Sequence, residues 1–145
     1  MKTFLKLLLL VVLLNVARYL LGFYLEGWLI LPGMFDVMEK FPASFNKNFN
    51  SVDFAISLFY NFMLWFTTAW LFHLAHPRLQ GGFIVKSLKL YGIVGLFFCS
   101  LSAVYMNHYV AAMRPFYLYS MLAALLLFPL VALVNGVLYP RLFQP

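Results

Sequence analysis

The chain reads as an all-α integral membrane protein: a four-transmembrane-helix bundle, N-in and C-in, with a short interfacial helix in the first outer loop. Of its 145 residues 65% are hydrophobic and 20% aromatic, and mean hydropathy is +0.91. A soluble domain of this size has too little interior to hide that much apolar surface, so lipid must solvate most of it. All four acidic residues, Glu26, Asp36, Glu39 and Asp53, fall in one segment between long apolar runs. They mark a water-facing loop on one side of a membrane.

The length allows a single transmembrane domain of four spans at roughly 20 apolar residues each. The first covers about residues 4–23, with an extension to residue 31 left open before Pro32 stops it. Its apolar run, interrupted by Asn15 and Arg18, outlasts the roughly 7–15-residue core of a secretory signal and lacks a small-x-small cleavage site before Asn15. It is therefore expected to remain as a signal anchor. The outer loop, 32–51, holds Gly33, Pro42, Ser44 and the polar group Asn46, Lys47, Asn48 and Asn50. Met34, Phe35, Val37, Met38 and Phe41 interleave there with Asp36, Glu39 and Lys40, which suits a short helix at the headgroup boundary. A plain loop with exposed aromatics fits the same pattern.

The second span covers about 52–74, with Asp53 placed to meet the positive end of its helix dipole. Breakers crowd the turn at 76–82, and the third span follows at about 87–109. After Arg114 and Pro115 the fourth runs over about 116–139 and is expected to end before Pro140, with a kink at Pro129. Ser120 and Ala124 form a small-xxx-small pair suited to close helix contact. Asn15, Asn61 and Asn107 are equally spaced, but their neighbours differ, so no internal repeat is read.

Orientation follows from the charges. One side carries Lys2, Lys6, Arg78, Lys86, Lys89 and Arg141; the other carries Lys40, Lys47, Arg114 and every acid. The excess of cations puts both termini inside. Tyr24, Trp28, Tyr109, Tyr117 and Tyr119 then sit near the outer interface and Tyr139 near the inner one. A multi-pass protein of a bacterial inner membrane is the expected localisation. The net charge of +6 is scattered over the ends of apolar runs, which argues against nucleic acid as a partner. Cys99 is the single cysteine, so no intrachain disulfide or CxxC motif exists.

Polar groups at membrane depth are costly and are candidate functional residues by default. Asn15, Arg18, Gly22 and Glu26 share one face of the first helix. Arg18 lies about 24 Å along the axis from Lys2, in the outer half. Glu26 is too far from it for the usual helical pair of three or four residues, so Arg18 is expected to seek another helix, a headgroup or a ligand. Ser57, Asn61, Trp65 and Thr68 form a stripe on the second helix, and Ser100, Ala103 and Asn107 one on the third. Asn15, Arg18, Asn61, Asn107, His108 and Tyr119 are the candidate buried polar cluster. Hydrogen bonding between helices, at about 0.6 kcal/mol each, and snorkelling of Arg18 to phosphates account for the same residues without a ligand.

Chemistry is excluded more readily than assigned. No helix is expected to pair carboxylates, and no G-x-S-x-G, P-loop or H-E-x-x-H occurs. His73 and His76 lie on the inner side, where no acid or cysteine completes a metal site, and His108 lies on the outer side. No metal or other cofactor is expected. The run Arg18-Tyr19-Leu20-Leu21-Gly22 resembles the arginine and glycine of the first helix in DoxX-type four-helix membrane proteins. The likeness covers one helix, the downstream spacing departs from it, and no function is carried over.

The leading expectation is a non-enzymatic subunit or accessory factor of a larger membrane assembly, its partners being lipids and other subunits or further copies of itself. The alternative is a binding or transport protein whose outer-leaflet pocket, around Arg18, Asn61 and Asn107, takes a lipid headgroup, a quinone-like molecule or a small anionic solute. A third reading is a membrane enzyme with His108 as base beside Asn107 and Tyr105.

Overall fold

A computed structural model describes residues 2–45, 48, 50–109 and 114–144, without the side chains of 107–109. Asn46, Lys47 and the side chains of Asn107, His108 and Tyr109 therefore lie outside the described residues. Those that are described form five α-helices and two short 3-10 turns, with no strand among them. Four of the helices are long and apolar enough to cross a membrane.

Helix α1 runs Lys2–Leu29 and is followed directly by α2, Leu31–Lys40. Pro32 does not simply stop α1. It occupies the first turn of α2, where its missing N–H has no intrahelical partner to lose. The backbone bonds from Ile30 to Glu26 and from Met34 to Ile30 carry the chain across the junction. The short loop helix is thus present, with Val37 buried. Asp36 and Glu39 both lie on it, so the absence of paired carboxylates holds for the four long helices and not for α2. Asp36 is exposed and accepts a 2.6 Å bond from Lys40, which raises the pKa of that lysine first by the hydrogen bond and then by charge.

Helix α3, Ser51–Ala75, begins with a capping box: Asn50 accepts from the N–H groups of Val52 and Asp53, and Asp53 accepts from the Asn50 N–H. A 3-10 turn at His76–Arg78 and Gly81, whose φ of +106° favours glycine, lead into α4, Phe83–Tyr109. Lys86 and Lys89 reach back and donate to the carbonyls of His76 and Gln80. Helix α5 runs Arg114–Phe143, through Pro129 and beyond the stop expected at Pro140. Proline removes one backbone donor, and a packed neighbour lets the helix carry the loss. Tyr139 and Phe143 flank Pro140 and stack at 4.5 Å, which holds that last turn in place.

The burial pattern explains the arrangement. Residues 124, 127, 128, 131, 132, 135, 136 and 139 of α5 are buried, a stripe at helical i, i+3, i+4 spacing. Leu7, Leu10, Val11 and Leu14 repeat it on α1, and Trp65, Thr68, Ala69 and Phe72 on α3. α5 is the central helix, packed along α4 and α1 and covered by α2 at its start; α3 packs on α1 and touches α4 more sparsely. Two glycines set the α4–α5 distance. A Cβ on Gly136 would come within 2.6 Å of the Ile84 Cα, and one on Gly95 within 3.0 Å of the Phe128 ring. The outward faces carry large apolar side chains, among them Leu20, Phe23, Phe59 and Phe97.

Antiparallel connection puts the start of α3 and α5 beside the end of α1 and α4. That end carries α2 and the acids, and is called the acidic end below. The other holds both chain ends and the α3–α4 turn, and is called the terminal end.

Candidate functional site

A cavity of about 160 Å³ lies between the long helices toward the acidic end, lined by Arg18, Glu26, Asn61, Trp65, Phe98, Ser120, Ala123 and Phe128 among others. The polar side of its lining is one connected set of side chains. Arg18 Nη2 donates to Glu26 Oε1 at 3.1 Å, each side chain about one-fifth exposed. The Arg18 guanidinium also lies over the Tyr19 ring, 4.8 Å from its centre, in cation–π contact. The Tyr19 hydroxyl accepts from Asn61 Nδ2 at 3.0 Å, and Asn15 Oδ1 accepts from the same nitrogen at 3.1 Å. Trp65 Nε1 donates to Asn61 Oδ1 at 3.1 Å, and Asn15 Nδ2 donates to the Val11 carbonyl.

This geometry overturns the expectation that Arg18 and Glu26 are too far apart to pair. Eight residues separate their Cα atoms by about 12 Å along the axis. Gly22, midway on the same face, leaves the groove between them empty, so both side chains lie along the helix and meet. A Cβ at Gly22 would sit 3.3 Å from Glu26 Oε2 and 3.0 Å from Leu127 Cδ2. The sign of the missing contact was in the sequence: Arg18, Gly22 and Glu26 repeat every four residues.

Trp65 fixes how Asn61 is oriented. An indole N–H only donates, so the Asn61 atom facing it is the carbonyl oxygen, and the amide nitrogen faces Asn15 and Tyr19. Both sides of the amide are engaged, and Asn61 acts as the polar pin between α1 and α3. Asn61→Leu should strand the Trp65 N–H and the Asn15 oxygen and cost about 2 kcal/mol of bundle stability. Thermal unfolding in mild detergent measures the loss, and the Trp65 emission reports the changed surroundings.

Of the six candidate residues, Asn15, Arg18 and Asn61 are brought together. Tyr119 is placed elsewhere: its ring occupies the space a Cβ on Gly33 would need, joining α5 to α2. Asn107 and His108 are among the side chains outside the description. Ser120 and Ala124 line the cavity, where their small size leaves room, and a close backbone approach of α4 to α5 occurs instead at Gly136. Arg18 Nε is buried and has no hydrogen-bond partner among the described residues.

Comparison with protein-family models, curated proteins and solved structures finds no match.

A second polar group sits at the terminal end. Tyr139 is buried there, and its hydroxyl lies 2.7 Å from His73 Nδ1 and 3.4 Å from His76 Nδ1. Phe72, Phe83 and Phe143 pack around it. His73 and His76 are engaged with this ring, and no group of three metal-ligating side chains occurs among the described residues. Between the two ends, Asn135 Nδ2 donates to the Ser87 hydroxyl at 2.7 Å, with both residues fully buried. Asn135 went unremarked in the sequence, although an amide within the run Leu133-Val134-Asn135-Gly136-Val137 is the same kind of signal as Asn15.

Proposed function

We propose that this chain is a non-enzymatic membrane protein that binds a small lipophilic molecule with a polar head in the cavity beside Arg18. In this reading the four long helices span the bilayer with both termini inside, in a bacterial inner membrane. Six cations in the stretches read from the sequence as inside, against three in those read as outside, support that orientation. The observation that carries the binding role is a chamber with aromatic walls and a guanidinium whose buried Nε–H has no partner among the described residues. A buried charged group with spare hydrogen-bonding capacity is expensive, and an acceptor delivered by a guest would meet that need. A cavity of about 150 Å³ takes one benzene ring, so a guest's head here has about the size of a single ring.

The test is occupancy. Mass spectrometry of the protein purified in mild detergent should find a co-purifying small molecule in the wild type. Ala123→Phe, which places a ring in the chamber, should lose it while the fold is kept. Equal retention by both proteins would sink the reading.

The second reading is a subunit or accessory role, favoured by the outward face of α3. Phe59, Tyr60 and Trp70 are exposed there, on the long helix with the sparser contacts to the bundle. A further helix would pack against such aromatics. Cross-linking from position 59 or 70 in native membranes should then yield one defined adduct, and a purely monomeric product would count against it.

A further inference from the structure

The charge balance and the walls of the cavity narrow the class of guest, if the binding role above is granted. The sequence alone left anionic solutes open, because Arg18 stood there as an unanswered cation. In the folded chain its charge is answered within the cavity lining by Glu26 at 3.1 Å. An anion entering would gain the guanidinium but face the carboxylate at the same site, where low polarity leaves that repulsion poorly screened. A cation would meet the reverse conflict. A neutral guest meets neither.

The buried polar atom of the lining that lacks a partner among the described residues is a donor. A guanidinium has five N–H groups and accepts nothing; one is spent on Glu26, and the buried Nε–H has no acceptor among the described residues. Asn61, the amide side chain in the lining, is already bonded on both its nitrogen and its oxygen. The chamber thus asks for an acceptor. Its apolar walls are flat: Trp65 and Phe128 lie 5.0 Å apart and tilted, and Phe98 packs beside Phe128. Aromatic walls around about 160 Å³ accommodate a planar ring better than a branched chain.

The geometry points to a neutral single-ring headgroup bearing a carbonyl-type acceptor, of the para-quinone kind, as the ligand of this cavity. Arg18 holds its oxygen, Glu26 keeps the site neutral overall, and Trp65, Phe98 and Phe128 enclose the ring. This deepens the binding role and depends on it.

Trp65 provides the readout. Of the three tryptophans, Trp28 and Trp70 are exposed, and replacing both by phenylalanine leaves Trp65 alone to report on the chamber. The full-length chain in mild detergent is titrated with dimethyl-para-benzoquinone as the neutral probe and para-toluate as the anionic one. Saturable quenching by the quinone, undiminished by an excess of toluate, is the expected result. Glu26→Gln removes the counter-charge and should raise the affinity for toluate about tenfold, while Arg18→Met should weaken the quinone about tenfold.

Displacement of the quinone by toluate in the wild type would overturn the neutral class and leave the binding role intact. Absence of saturable quenching, in a protein that still loses a co-purified molecule on Ala123→Phe, would overturn this inference alone. Loss of both signals would take the binding role with it. Should Glu26→Gln fail to fold, the wild-type competition decides without it.

Discussion

Glu26→Ala is expected to destabilise the bundle by about 3 kcal/mol, because it leaves Arg18 charged among helices with no counter-charge. The pair is about one-fifth exposed, which places the cost at the low end for a broken buried pair. Replacing both members, Arg18→Met with Glu26→Met, should recover most of that loss, since two unbranched apolar side chains fill the groove over Gly22 without any charge to solvate. Unfolding by titrated denaturing detergent, run on the wild type, both single variants and the double variant, gives the coupling directly. Additive losses would mean that the two side chains do not interact in the folded protein. A stable double variant that no longer retains the co-purified molecule would separate what the pair does for binding from what it does for folding.

The largest steric effect is expected at Gly136. The nearest atom to an added Cβ is the Ile84 Cα, with the Ile84 nitrogen at 3.0 Å, so backbone rather than a mobile side chain blocks it. Gly136→Ala should force α4 away from α5 and cost about 2 kcal/mol, and Gly136→Leu about 3 kcal/mol or more. Damage should spread to the adjoining contacts, because Asn135 and Ser87 meet across the same seam and Tyr139 packs on Phe83 one turn further along. Thermal stability in detergent, together with the accessibility of a cysteine introduced at position 87, would register the opening. An alanine variant as stable as the wild type would show that the helices are not held at this distance by the glycine.

Much of the architecture was legible because lipid-sized apolar runs are an unusually strong signal. The limits of α3 follow from Asn50, Asp53 and the breakers after Ala75, each of which acts through the nearest few residues. Prolines were read less well. The sequence predicts stops at Pro32 and Pro140, yet each sits within helical structure, because a proline's cost depends on whether neighbours make up for one lost backbone bond. That is a property of the packed bundle and is not written locally.

The candidate site divides in the same way. Asn15 and Asn61 stood out as amides in apolar surroundings, and they are bonded to each other. A pocket around Arg18 and Asn61 is expected from the sequence, but no residue pattern on a single helix shows the cavity's apolar wall. It exists because Ser120, Ala123 and Ala124 of α5 face Trp65 of α3, and that meeting depends on the rotation of two helices far apart in sequence. The Arg18–Glu26 contact was missed for a simpler reason: the usual pairing distance assumes that an ordinary side chain stands between the partners, and here it is a glycine.

The uneven packing of α3 bears on traffic. Among the described residues its polar link to α1 is the Asn61 amide, it is tethered at the loop gripped by Lys86 and Lys89, and its contacts along α4 are sparse. For the guest proposed above, this loosely packed edge between two helices, rather than either end of the bundle, is where entry would be sought.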